Sequence, residues 1–413
     1  QSSQMSRIFQ TIGADPNNLG WFFILPPLMG LVVQPIVGYY SDRTWAPKLG
    51  GRRLPYLLLG MIVAVIVMLL LPNSGSFGFG YGSLAALWFG AITVAFLDLS
   101  SNVAMQPFKM MVGDMVNDDQ KSYAYGIQSF LSNTGAVLAA IFPFLFTWFG
   151  VKNIAPKGVV PDSVKVAFYV GAALLVITSL FTVFRVHEYD PATYAKYHGI
   201  TEEDNKEGGN WFTLLKTAPK AFWTVTLVQF FCWFAFQYLW TYSAGAIAKN
   251  VWDTTNATSA GYQAAGNWYG VLAAVQSIAA VVWSYVLAKV PNKYHKLGYA
   301  GSLLLGAFGF ISVFFIHDQW TLIVSYILVG IAWAGMNTYP LTIVTNALSG
   351  KHMGTYLGLF NGSICLPQIV ASLLSFALFP LFSNSQVNMF ILGGIVLALG
   401  ALSVGTIKET YAE

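Results

Sequence analysis

One acidic residue in this chain lies where solvation cannot account for it. Of the 17 aspartates and glutamates, Asp98 alone falls deep inside an apolar stretch; the others sit in loops, tails or at the ends of apolar runs. It precedes Lys109 by 11 residues, or roughly 16 Å of helix. In a helix that crosses a bilayer this is close to the midplane. An aspartate there costs about 2.5–3.5 kcal/mol on insertion scales, and such residues usually face an interior pathway for ions or protons. Loss of water disfavours the charged form of a carboxyl group, so a group of this kind is suited to proton exchange. The plainer reading is a carboxyl tied by hydroxyls or a backbone amide to fix helix packing. Ser101, Asn102 and Met105 follow at +3, +4 and +7 and share its helical face. Asn102 can either bridge a proton site and a substrate or hold neighbouring helices together. None of the five histidines lies within an apolar run, so a histidine relay is not expected.

Uncharged polar and aromatic groups recur inside the other apolar stretches. They include Gln128 and Asn133, Gln229, Trp233, Gln237 and Trp240, Asn267 and Gln276, Asn337 and Tyr339, and Asn361 and Gln368. Amides that donate and accept, set beside flat rings, suit a ligand with many hydroxyls and weakly polar C–H faces, as in a sugar. Trp233, Gln237 and Trp240, spaced i, i+4, i+7, form one stripe. For each amide the rival role is interhelical packing, and for many of the 13 tryptophans it is lipid contact or interface anchoring. Substrate contact is expected at Asn102, Gln128, Asn133, Trp233, Gln237, Trp240, Asn337, Tyr339, Asn361 and Gln368.

The elements that must position these groups follow from composition. Hydrophobic residues make up 56% of the 413, and charged residues only 9%, against roughly 25% in soluble proteins. Most of the surface must therefore face lipid. A net charge of +4 without a Lys/Arg block gives no nucleic-acid footprint. Cys232 and Cys365 lie in apolar runs and read as small hydrophobes. With no metal-type Cys/His spacing and no second midplane acid, neither a metal nor an enzyme active site is expected. The sole coupling agent foreseen is the proton.

Eleven segments reach about 20 mostly apolar residues, near 19–41, 54–72, 84–107, 122–148, 165–186, 221–247, 265–289, 298–316, 321–346, 355–382 and 387–407. Sixteen of the 21 basic residues fall in alternate loops and the C-terminal tail, and only four in the intervening loops. The basic side and the C-terminus are therefore expected in the cytoplasm of an inner or plasma membrane. Residues 1–13 are too short to span and read as the outer end of a preceding helix. The expected total is thus twelve, with the first largely missing from this chain; eleven spans with an external N-terminus is the alternative. The longest hydrophilic stretch divides the chain into an N-terminal bundle at 1–187, a cytoplasmic linker at 188–219 and a C-terminal bundle at 220–413. Transporters built from such repeats hold substrate at the midplane, between halves that rock around it.

Particular residues extend this to a family. Gly38-Tyr39-Tyr40-Ser41-Asp42-Arg43, then Gly51-Arg52-Arg53 and Pro55, resembles the loop between the second and third helices of the major facilitator superfamily. The form G-Y-Y-S-D-R is similar to that of the sucrose and related glycoside–proton symporters, a glycoside-pentoside-hexuronide:cation symporter-like group. Leu97-Asp98 with Asn102, Pro107, Lys109 and Asp114 resembles that group's fourth helix, where an aspartate and a basic residue are associated with proton-coupled uptake. Lys109 stands where plant relatives carry arginine. Asn337-Thr338-Tyr339-Pro340, Gly358-Leu359-Phe360-Asn361 and Pro367-Gln368 resemble its tenth and eleventh helices. The resemblance implies an all-α fold of two six-helix bundles and a monomer that imports a disaccharide of the sucrose or maltose type with protons by alternating access. Asp42, Arg43, Arg52, Arg53, Lys109 and Asp114 are then expected to gate the cytoplasmic side, although their basic members would fix topology in any case. The competing expectation is a proton-driven exporter or antiporter of amphipathic small molecules, which needs fewer amides.

Overall fold

The computed structural model describes residues 2–79, 83–115, 118–190, 193, 215–287, 289–347 and 353–407. Among the described residues twelve α-helices carry the architecture: α1 (Ser2–Thr11), α2 (Leu19–Arg43), α3 (Leu54–Leu70), α4 (Leu84–Met115), α5 (Asp118–Trp148), α6 (Asp162–Arg185), α7 (Lys220–Trp252), α8 (Ala260–Leu287), α9 (His295–Ser312), α10 (Leu322–Ala347), α11 (Met353–Leu381) and α12 (Gln386–Ser403). Among the described residues there is no strand, only an isolated bridge between Ala46 and Gly51. Helices are what the sequence demands, because hydrocarbon offers backbone amides no partner outside their own segment. Ten of them are long and apolar enough to cross a membrane. The expected span at 122–148 falls on α5, whose described apolar part is Thr134–Trp148, and α1 is a single short helix. Helix α4 runs on past the apolar stretch to Met115, which leaves Asp98 near its centre.

Packing sorts the helices into two groups. Helices α2, α3, α4 and α6 pack on one another, as do α7, α9, α10 and α12, with α8 against α10. One apolar core joins Phe9, Phe22, Val67, Val94, Leu97 and Phe168, and a second joins Phe222, Phe236, Leu303, Phe310, Val329 and Leu397. Trp240 is half-buried and packs against both cores. The groups meet where α2 crosses α11, α5 crosses α8, and α1 lies against α7 and α8. At the α2–α11 crossing a Cβ on Gly20 would sit 2.3 Å from Ser375 Oγ and 2.5 Å from the Ser372 carbonyl oxygen. No side chain fits there, so the two backbones close against each other. Trp21 seals the crossing beside Phe376, with ring centroids 4.9 Å apart.

At the opposite end a carboxylate organises the loop between α2 and α3. Glu188, just beyond α6, accepts hydrogen bonds at Oε1 from the backbone N–H groups of Arg53 (2.9 Å) and Leu54 (3.2 Å). Its own N–H donates to the Gly50 carbonyl at 2.8 Å. Two otherwise orphaned donors at the start of α3 are thereby satisfied, and a negative charge meets the positive end of the helix. The glycines of the loop motif make this possible. Gly50 has φ +64°, where a side chain would be strained, and a Cβ on Gly51 would lie 2.4 Å from Glu188 Oε1. Glu188→Ala should destabilise the protein by about 1–2 kcal/mol, as loss of a helix cap does. Glu188→Gln, which keeps an acceptor, should cost less. Thermal unfolding in detergent measures both, and an unchanged Tm for the alanine variant would remove this role.

Candidate functional site

Helix α4 shows which way Asp98 points. Trp88, Ile92 and Phe96 are 60%, 51% and 48% exposed and, at four-residue spacing, mark one lipid-facing stripe. Asp98, two residues beyond Phe96, is about 200° around the helix and faces inward. It is half-buried, and its Oδ2 is enclosed with no hydrogen-bond partner among the described residues. A buried carboxylate oxygen in this condition is costly as an anion and is a natural point for a proton or a ligand hydroxyl. The hydroxyl-tied alternative is not what the helix shows: Ser100 and Ser101 donate to the Leu97 carbonyl and Asn102 to the backbone carbonyl of Asp98, at 2.8 Å each. On the same face Met105 is 40% exposed, although it points away from the lipid stripe. The interior side of α4 therefore borders an open recess.

The other candidate groups lie on α7, α10 and α11. Trp233, Trp240 and Trp333 form a triangle with ring centroids 6.2, 5.5 and 6.0 Å apart. Gln229 orients Trp233 by accepting its indole N–H. Asn337 lies one turn beyond Trp333 and is exposed; its Nδ2 donates to the Trp333 carbonyl. On α11, Asn361 and Gln368 are half-buried. Asn361 Nδ2 lies 3.8 Å from Cys365 Sγ. Gly30 of α2 links α4 and α11, because a Cβ there would lie 3.5 Å from Cys365 Sγ and 3.8 Å from Asn102 Oδ1. Gly30 thus brings Asn102 of α4 beside the Asn361–Cys365 turn of α11, while Trp233, Trp240 and Trp333, with Asn337 one turn on, form a second cluster on α7 and α10.

Two expected contacts are placed elsewhere. Gln237 is buried, and its Nε2 donates to the Phe23 carbonyl (3.0 Å) and to Ser372 Oγ (2.9 Å). It joins α7 to α2 and α11 instead of offering its amide to a ligand. Tyr339 is two residues from Asn337 and so on the opposite face of α10; it packs on His295 and Tyr299 in the core. The side chains of Asp42, Arg43, Lys109, Asp114, Gln128 and Asn133 lie outside the described residues. Of the expected gating residues, Arg52 and Arg53 are buried, and Arg53 donates to Ser41 Oγ at 3.2 Å. Sequence reasoning missed Trp333, for which only its four-residue offset from Asn337 could have served as a signal. It also missed Arg7 and Glu188, whose partners are remote in the chain. Among the described residues no group of three or more His, Cys, Asp or Glu could hold a metal ion.

Comparisons with known proteins agree with this architecture. The family model described as Major Facilitator Superfamily matches residues 3–372. Sucrose transport protein SUC4 of Arabidopsis thaliana is 22% identical over 406 residues, covering 90% of this chain and 79% of the relative. Sucrose transport protein SUT5 of Oryza sativa subsp. indica is 24% identical over 444 residues, covering 95% and 81%. Among solved structures, the D-xylose-proton symporter superposes with a TM-score of 0.70 at 14% identity, over 100% of this chain and 95% of that one. The inward-open xylose transporter XylE from E. coli gives 0.68 at 12%, over 100% and 94%. These structural likenesses concern the fold.

The geometry of the recess is directly testable. With both native cysteines replaced by serine, Asn337→Cys should react readily with a hydrophilic thiol reagent applied from the end that carries the loop between α2 and α3. Gln237→Cys should react at least tenfold more slowly, as expected of a site excluded from water. Equal rates would contradict the placement of the two side chains.

Proposed function

Because this chain belongs to the Major Facilitator Superfamily, and is thus a multi-pass membrane transporter and not an enzyme, we propose that it imports a disaccharide or related glycoside together with protons by alternating access. The observation that carries this reading is the enclosed, unpartnered Oδ2 of Asp98 on the interior face of α4. A tryptophan triangle on α7 and α10 and the amides of α4, α10 and α11 support it, and the relatives named above are sugar transporters. Sucrose or maltose fits the array of Asn102, Asn337, Asn361 and Gln368 with the rings of Trp233, Trp240 and Trp333. The rings supply flat apolar faces and the amides paired donors and acceptors. The working unit of this proposal is a monomer.

The basic loops set the orientation. With them in the cytoplasm, the closed end at the α2–α11 crossing faces outward and the recess faces inward. In the outward-open state Asp98 takes a proton and sugar binds between the bundles. With the carboxylate neutral, closing the bundles over it no longer buries a charge. The inward state then releases sugar and proton to the cytoplasm. Each proton carried through 100 mV supplies about 2.3 kcal/mol, which sustains roughly fifty-fold accumulation.

The test is uptake of labelled sucrose and maltose into proteoliposomes, with and without an inward proton gradient. Asp98→Asn should abolish uphill accumulation and leave substantial sugar-for-sugar exchange. A variant that still concentrates sugar would show that coupling lies elsewhere. Trp333→Ala should raise the KM for the transported sugar about tenfold, in line with the loss of one stacking face, and Trp333→Phe should raise it less. An unchanged KM in the alanine variant would exclude Trp333 from the sugar site.

A further inference from the structure

The end of the molecule that is closed carries a buried cation, Arg7, that has no assigned role among the sequence expectations. Arg7 on α1 is 1% exposed, and its guanidinium is clasped by three neutral side-chain oxygens. Nε donates to Gln263 Oε1 at 2.8 Å, Nη1 to Asn267 Oδ1 at 2.7 Å and Nη2 to Asn153 Oδ1 at 2.7 Å. Gln263 and Asn267 are one turn apart on α8, in the other helix group. Each uses both ends of its amide across the interface. The Gln263 amino group donates to Thr11 Oγ1 at 3.0 Å and that of Asn267 to Thr147 Oγ1 at 2.8 Å. Between them stands Gly266, where a Cβ would lie 2.5 Å from Arg7 Cδ; its missing side chain is the slot for the arginine stem. Neighbouring bonds extend the seam. Ser6 Oγ donates to the Thr241 carbonyl at 2.7 Å, and Gln386 Nε2 donates to Gln10 Oε1 at 3.1 Å.

This seam has the properties of a reversible fastening. The planar fork of arginine matches divergent acceptors that a lysine cannot span. The bonds to Gln263 and Asn267 can be exchanged for bonds to water once the bundles part, and they cannot form unless α1 and α8 come together. Asn153, in the loop between α5 and α6, holds the guanidinium from its own side of the seam. We propose that Arg7 is the latch of this end: a positioning residue for transport whose insertion over Gly266, between Gln263 and Asn267, completes closure and whose withdrawal into water opens the pathway. The inference rests on the rocking-bundle reading but not on the identity of the sugar or of the coupling ion.

Full-length protein in proteoliposomes, carrying Asn337→Cys with Cys232→Ser and Cys365→Ser, tests it with a membrane-impermeant methanethiosulfonate reagent. Applied from the closed end, the reagent should label the parent slowly. Arg7→Met, which keeps the bulk and removes the bonds, should raise that rate on the order of tenfold, and Arg7→Lys should not restore the slow rate. Gly266→Val, which leaves Arg7 intact but fills its slot, should act in the same direction. Labelling from the open end reports folding in every variant. If Arg7→Met and Gly266→Val both label from the closed end no faster than the parent, Arg7 is not the latch. Should the parent label equally fast from both ends, the rocking-bundle reading fails together with it.

Discussion

A solvent that cannot form hydrogen bonds governs this molecule. In hydrocarbon every polar group must be satisfied within the protein or set against an interior space that water or a ligand can enter. That constraint divides the polar side chains into two populations. Some pair among themselves across the helix groups, as Gln237 does with Phe23 and Ser372, and as Gln263 and Asn267 do with Arg7. Others keep an atom in reserve, as Asp98 does with Oδ2. The first population closes the protein at one end. In the function proposed above, the second is where a hydroxylated, proton-linked cargo finds its partners.

The two ends are built by different means. At the closed end the backbones of α2 and α11 meet at Gly20, and neutral amides gather around one guanidinium. Such contacts are short-ranged and demand close approach, so they form or break as a set when the bundles move. At the other end Glu188 fixes the loop between α2 and α3 to the end of α6, entirely within one bundle. A loop held in this way keeps its shape whichever state the bundles adopt. With the seam parting as proposed, a brace confined to one bundle at the other end suits a body that rocks about a central site.

The tryptophan triangle joins these features. Trp240 touches both apolar cores, so its surroundings change when the cores move relative to each other, while Trp233 is held by Gln229 and Trp333 shares a face with Asn337. A ligand stacked there would meet both bundles together with the amides of α10 and α11. In the proposed mechanism, occupancy of the site and closure around it would depend on each other through this contact.

The residue pattern alone determined the helical class, since nine-percent charge and eleven apolar runs leave no other way to satisfy the backbone. The run boundaries lie within a few residues of most helix ends, because apolar length is a local property. Asp98 was legible for the same reason: a lone carboxyl in an apolar run is conspicuous without any partner being known. Partnership itself was not legible. Gln237 shares a stripe with Trp233 and Trp240, and Tyr339 neighbours Asn337 in a motif, yet packing turned one into a clasp and the other into core. Arg7 and Gln263 are 256 residues apart, and Glu188 and Leu54 are 134 apart. Helical periodicity assigns a side chain to a face, but only the folding of distant helices against one another decides what that face meets, and so whether a polar group is used up in packing or kept for the cargo.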